Sequence, residues 1–230
     1  MSPQPIKERI KYFRTAHLPF SPGCTNDDKK LLNIEHFYKM NTVIISEKFD
    51  GENFTGYCDG YTHARSLDSN NHASRNYAKA IWKKVCHELP KGWRICAENL
   101  YAKHSIHYEH LTSYLLVFSI WDDTNTCLDW ETTELWCSLL NLKTVPVIYK
   151  GKISSKDDLD DFINATWWQY CHPVLPYEGD EKEGFVIRNS DGFKFKDSDL
   201  NIAKYVRSGH VQTDSHWMTQ EIVPNKLEKK

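Results

Sequence analysis

Lys48 stands two residues ahead of an Asp-Gly pair, in Ser46-Glu47-Lys48-Phe49-Asp50-Gly51-Glu52-Asn53, directly after the apolar run Val43-Ile44-Ile45. Asp-Gly between strand-like runs marks a tight hairpin turn, with the glycine taking the positive φ that such a turn demands. On that reading Lys48 is a solvated charge at a strand end. The alternative is an amine held rigidly at the mouth of a pocket, where it can act as a nucleophile. Residues 183–196, EGFVIRNSDGFKFK, raise a second question. Strand alternation sets Lys194 and Lys196 on one face with Phe193 and Phe195 opposite, and two ammonium groups side by side call for an anion. Taken alone, this is an ordinary half-buried strand with a solvated lysine face, and Glu98 is a surface carboxylate.

The elements that must position these residues can be traced along the chain. Val43–Ser46, Asn53–Cys58 and Tyr61–Ser66 are separated by Asp50-Gly51 and Asp59-Gly60 and read as a meander of consecutive hairpins. Tyr77, Ala80, Ile81 and Val85 recur at helical spacing within residues 73–88, which Pro90 and Gly92 close. Further strands are predicted at Trp93–Glu98, Tyr114–Trp121, Gly184–Arg188 and Phe193–Lys196. Further helices are predicted over 130–141 and over 155–170, the latter opened by Ser154 and Ser155 as N-cap candidates. Helices inserted among antiparallel strands predict an α+β domain.

Composition narrows the classes. A chain of 230 residues, 40% apolar, suffices for one domain with a full core. The formal net charge of −2 supplies no global field for a polyanion, so a nucleic-acid site must be a local cluster of Lys and Arg. Seven scattered cysteines with no C-x-x-C pair read as reduced thiols in a cytoplasmic protein. Neither a signal-peptide core nor a membrane-length apolar run is present. His104, His107 and His110 recur every three residues, but no cysteine pair completes a zinc set, so they read as a segment contacting substrate. Trp121 and the Trp167-Trp168 pair read as core, and the KLEKK end as solvated.

The order of these residues resembles the covalent nucleotidyltransferase superfamily: ATP-dependent RNA and DNA ligases and mRNA capping guanylyltransferases. Its Lys-x-Asp-Gly motif is matched by Lys48-Phe49-Asp50-Gly51. Arg65 in THARS, Glu98 in CAENLYAKHSI, Phe118 in LLVFSIWDD, Glu183 in EGFVIR, and Lys194 and Lys196 in FKFK match the motifs that follow. Asn53, five residues after the lysine, resembles the RNA ligase 2-like branch, as do ENLYAKHSIHYEHLTSYLLVFSIWD and KYVRSGHVQTDSHW; Asp50 stands where some members of that branch carry histidine.

The resemblance implies an ATP-grasp-like nucleotidyltransferase domain with two antiparallel sheets around a nucleotide cleft, flanking helices, and no OB-fold barrel within the 230 residues. It implies an ATP-dependent RNA ligase. Lys48 attacks the α-phosphate of ATP to give lysyl-AMP, AMP passes to a 5′-phosphate end, and a 3′-hydroxyl seals the strand. Lys194 and Lys196 hold phosphates; Glu183, with Asp50, binds Mg²⁺ or Mn²⁺; Glu98 and Arg65 meet ribose and phosphates; Phe118 stacks on adenine. Glu47 contributes its backbone to adenine recognition, Asn53 faces the nucleotide or the substrate end, and Arg207 and His210 reach RNA. An unperturbed lysine is free amine in only about one molecule in a few thousand at neutral pH, so Lys194, Lys196, the metal and burial are expected to lower the pKa of Lys48. The partners implied are RNA ends and an end-healing kinase or phosphatase. The same residues allow a minimal DNA ligase, a GTP-using capping guanylyltransferase, or, from another class, a catalytically silent nucleic-acid-binding module.

Overall fold

In the computed structural model, residues 8–69, 71–171, 181–209 and 221–228 are described. The strands are β1 (Ala16–His17), β2 (Val43–Lys48), β3 (Glu52–Tyr57), β4 (Thr62–His63), β5 (Arg94–Asn99), β6 (Leu115–Trp121), β7 (Thr126–Cys127), β8 (Lys143–Thr144), β9 (Val147–Gly151), β10 (Gly184–Asn189), β11 (Phe193–Lys194) and β12 (Ile202–Val206). The helices are α1 (Glu35–Tyr38), α2 (Asn76–Val85), α3 (Trp130–Leu139), α4 (Lys156–Asp161) and α5 (Trp168–Cys171), with a π-helical turn at Phe162–Trp167 joining the last two.

The strands form two mainly antiparallel sheets. One runs β1-β12-β10-β2-β9; the other runs β11-β7-β6-β5-β3-β4, with β8 beside β6. β2 lies between β10 and β9 and is buried on both faces, which is why it reads as an unbroken Val-Ile-Ile run. Val43 and Ile45 pack with Phe37 and Phe185 outside the first sheet, whereas Ile44 packs toward the second sheet with Leu100 and Leu116.

Two of the three Asp-Gly pairs do not make hairpins. Asp50-Gly51 joins β2 to β3 and Asp191-Gly192 joins β10 to β11, and each pair of strands belongs to different sheets. These turns are corners that carry the chain across the cleft. Only Asp59-Gly60 closes a hairpin, Thr55 opposite His63, and among the three glycines only Gly60 has a positive φ, 83°. Gly51 is needed for close approach instead, because a Cβ there would lie 2.7 Å from Leu100 Cδ2 and 2.8 Å from Asn99 O.

α2 buries Ala78 and Trp82, with Ile81 and Val85 partly covered, against β3, β5 and β6; Tyr77 and Ala80, predicted on the apolar face, are exposed. Tyr77 instead stacks on Tyr101 at 6.0 Å. α4 opens as expected on Ser155, whose hydroxyl accepts from Asp158 N at 3.1 Å. Trp121 and Trp167 are core, while Trp168 is 56% exposed. Residues 221–228 dock on the second sheet's loops. Asn225, 1% exposed, accepts from Tyr108 N at 2.9 Å and donates to Leu100 O at 2.9 Å. Beyond it the side chains of Lys226, Leu227 and Glu228 are exposed, as expected of a solvated end, while their backbone is held by Lys226 N donating to Tyr108 O and Glu228 N to Leu111 O, at 2.9 Å each.

Candidate active site

Alternation along β2 turns Ile44, Ser46 and Lys48 toward the cleft between the sheets and Val43, Ile45 and Glu47 away from it. The Lys48 amine donates to Glu183 Oε2 at 2.6 Å and to Phe49 O at 3.3 Å. Register explains this meeting of residues 135 positions apart: β10 pairs antiparallel with β2, Gly184 lies opposite Lys48, and Glu183 is the residue just before. Glu183 sits behind the amine, 5% exposed.

On the facing sheet, Asn53 of β3 lies opposite Glu98 of β5. Burial pushes the Glu98 carboxyl up to about 8; Lys48 opposes the shift, and the Glu183 and Asp50 charges add to it. Burial alone disfavours the Lys48 ammonium, but the attraction of Glu183 and Glu98 outweighs it and the net pKa is raised. The resting amine is therefore a protonated, ion-paired ammonium, contrary to the lowered pKa expected from neighbouring cations.

The cleft encloses a cavity of about 680 Å³, in the range that holds a nucleotide-sized ligand. Phe118 from β6 and Val186 from β10 line it from opposite sheets, as do Glu98 from β5 and Lys204 from β12, and Arg65 lines it with Lys48. Tyr12, ahead of β1, meets Phe118 edge-on at 5.3 Å. Arg188, 2% exposed, donates to Phe118 O at 2.8 Å and steadies that strand. At the rim, Arg75 Nε donates to Glu52 Oε2 at 2.7 Å. The arrangement offers an amine that becomes nucleophilic once it gives up its proton, an aromatic and apolar slot for a planar ring, and cations for an anionic chain beside it.

The RNA ligase family profile matches residues 41–206, a span that contains Lys48, Glu98, Phe118, Glu183 and Lys204. The chain belongs to the RNA ligase family. A solved RNA ligase of Naegleria gruberi with PPi superposes with a TM-score of 0.56 at 15% identity, covering 89% of this chain and 63% of that one. A mutant of the Naegleria gruberi RNA ligase with ATP and Mn gives 0.54 at 13% identity, covering 86% and 62%. An archaeal ATP-dependent RNA ligase, form 1, gives 0.52 at 17% identity, covering 84% and 48%. These likenesses show the nucleotidyltransferase-type ligase fold, and the chain spans about half to three-fifths of those proteins' length. No curated protein sequence matches the chain.

Within this RNA ligase fold, the structure brings Lys48, Asn53, Arg65, Glu98 and Phe118 together around the cleft, and His104 joins them. Lys194 and Lys196 do not. Lys194 is exposed on β11 and donates to Thr126 Oγ1 at 2.7 Å, while Lys196 is exposed in the 3₁₀ turn Phe195–Leu200 that cuts the predicted strand short. The cation delivered to the site is Lys204 of β12, opposite Val186. Burial lowers its pKa, and the Lys48 charge lowers it further. Lys204 opens the stretch KYVRSGHVQTDSHW that resembles the RNA ligase branch, but the phosphate-holding role went to Phe-Lys-Phe-Lys because that segment fitted a two-lysine pattern.

Asp50 serves as an anchor: Oδ2 accepts from Ser105 N at 2.7 Å and Ile106 N at 2.9 Å, and its own N–H donates to Tyr108 Oη at 2.8 Å. The Glu47 side chain lies on the far face, where it accepts from Tyr170 and pairs with Lys182 at 3.3 Å; its N–H donates to Pro146 O at 2.9 Å. Arg207 is engaged by Lys182 O at 2.6 Å and by Glu181. His210 lies outside the described residues. His107 meets Pro224 O at 3.2 Å, and the three histidines form no metal cluster among the described residues.

Proposed function

We propose that this chain is an ATP-dependent RNA ligase that works through a lysyl-AMP intermediate and seals 5′-phosphate to 3′-hydroxyl ends. The observation that carries this reading is the Lys48 amine on the Glu183 carboxylate, 2.6 Å apart, at the wall of a cavity that also presents Glu98, Phe118 and Lys204. Attack on an α-phosphate needs a neutral amine aligned with the leaving pyrophosphate and cations on the phosphoryl oxygens. In this reading Phe118 and Val186 receive the adenine, Lys204 and Arg65 meet phosphate oxygens, and Glu98 and Asn53 face the nucleotide.

The Glu183 carboxylate and the Glu98 carboxyl, clustered around Lys48, offer hard oxygen donors that suit Mg²⁺ or Mn²⁺, and a cation held there would take the place of the Glu98 proton. When bound, such an ion supplies neutralisation of phosphoryl charge. Weakening the Glu183 contact frees Lys48 to lose its proton; burial, which disfavours the ammonium, then favours the nucleophilic form.

Incubation with α-labelled ATP or GTP tests the assignment. Label retained from ATP, lost in Lys48→Ala, together with sealing of 5′-phosphorylated RNA, supports it. Label from GTP alone makes the chain a capping-type enzyme, sealing of nicked DNA alone a DNA ligase, and no label under any metal a silent binding module.

A further inference from the structure

Beyond the nucleotide cleft, His17, Cys24 and Asp28 bring one ligand atom each to within 4.8 Å of one another. No spacing in the sequence signals this group. It is assembled by the loop between β1 and α1, which is tied to β12: Leu18 N donates to Lys204 O at 2.8 Å and Gly23 N to Val206 O at 2.8 Å. The tie is tight at Gly23, where a Cβ would lie 2.5 Å from Arg207 O. Cys24 N donates to Ser21 O at 3.3 Å and Asp28 N to Thr25 O at 3.2 Å, which shapes the loop's two turns.

Ser21 fixes the ring of His17 from behind. Its hydroxyl accepts from Val206 N at 2.9 Å and lies 3.3 Å from Val206 O and 2.8 Å from His17 Nδ1. With Nδ1 engaged by Ser21, Nε2 is the atom presented to Asp28 Oδ2 at 3.5 Å. A backing hydrogen bond on one ring nitrogen with the other turned to a cation is how ligating histidines are commonly held. Asp28 is kept ionised although burial opposes this, through Thr25 N–H and hydroxyl donors and the Lys204 charge. Cys24 is half-buried with its Sγ 3.6 Å from Thr25 O.

We infer that His17, Cys24 and Asp28 form a site for a borderline-soft divalent cation, Zn²⁺ in class, separate from the oxygen-lined site of the nucleotide reaction. Nitrogen, thiolate sulfur and carboxylate oxygen gathered within 4.8 Å of one another are the donor types that suit zinc, and three of them leave a fourth position for water. Binding takes the thiol proton of Cys24 into solvent as the thiolate forms. Asp28 Oδ1 also lies 3.9 Å from Lys204 Nζ, so a cation held here shares the carboxylate that faces the cleft lysine.

The test uses the whole chain, stripped with chelator and titrated with Co²⁺ and then Zn²⁺. One equivalent of Co²⁺ giving tetrahedral bands and a thiolate-to-cobalt absorption, displaced by Zn²⁺, is the expected result. The absorption should vanish in Cys24→Ser, and Zn²⁺ affinity should fall at least about tenfold in His17→Gln and about tenfold in Ser21→Ala. Zn²⁺ should raise the thermal midpoint of the wild type and not of Cys24→Ser. Because His17 is buried, its variant also reports on folding; Cys24, half-exposed, does not share that burden. A cobalt spectrum without the thiolate band, or one retained in Cys24→Ser, overturns the site and leaves a histidine–aspartate ion pair.

Discussion

Lys204→Met separates the cation that the fold delivers to the cleft from the pair that the sequence suggested. Lys204 faces the cavity from β12, close enough to Lys48 and Arg65 for each charge to depress its pKa, and its carboxylate partner Asp28 is 3.9 Å away. A cation about 4 Å from a developing phosphoryl charge at an effective dielectric near 20 contributes about 4 kcal/mol. Removing one preorganised donor in such a site costs about 3–4 kcal/mol, which is about 10²–10³ in rate. The fold should tolerate the change, because the Asp28 pair is part-exposed and contributes at most about 1 kcal/mol. Lys194 and Lys196 are exposed, so Lys194→Ala and Lys196→Ala should alter the rate by no more than about twofold. The assay is the single-turnover rate of label retention at saturating α-labelled ATP. Loss of labelling in the Lys194 and Lys196 variants, with Lys204→Met near wild type, would refute the assignment and the pairing of β10 with β12 that underlies it.

Lys48→Ala should abolish labelling and also lower stability by about 2–3 kcal/mol in denaturant titration, since Glu183 is left buried without its ammonium; Lys48→Ala with Glu183→Gln should recover most of that loss. Burial pushes the Glu98 carboxyl up to about 8 in the fold against 4.5 when unfolded, so between these pH values the folded chain holds the extra proton; stability should fall as pH rises through that window, by on the order of 5 kcal/mol, and Glu98→Gln should flatten the profile of the thermal midpoint. Asn225→Ala leaves Tyr108 N–H and Leu100 C=O without their buried partner and should cost about 2–4 kcal/mol in urea. Labelling should fall with it, because Tyr108 in turn braces Asp50 N–H in the Lys48 corner; unchanged labelling and stability would remove the C-terminal stretch from the site's support.

What could be read along the chain was whatever depends on near neighbours. Periodicity located β2, β5, β6 and β10, and the 73–88 and 155–170 helical stretches, because alternation and caps act over a few residues. The motif residues Lys48, Glu98, Phe118 and Glu183 could be named because their order along the chain resembles that of the nucleotidyltransferase superfamily; local spacing alone left each of them with an ordinary structural reading. Which strand lies beside which could not, since Asp-Gly bends the chain equally well into a hairpin or into a corner between sheets. That choice is made by the apolar faces that must be covered: both faces of β2, then β10 between β2 and β12. The choice put Lys204 in the cleft and Lys194 at the surface, and gave Asp50 to the loop amides of Ser105 and Ile106. Distance along the chain carries no information about His17, Cys24 and Asp28 as a group, nor about Asn225 beneath Tyr108. Packing free energy, summed over the whole molecule, decides such meetings, and only the folded arrangement exposes its result.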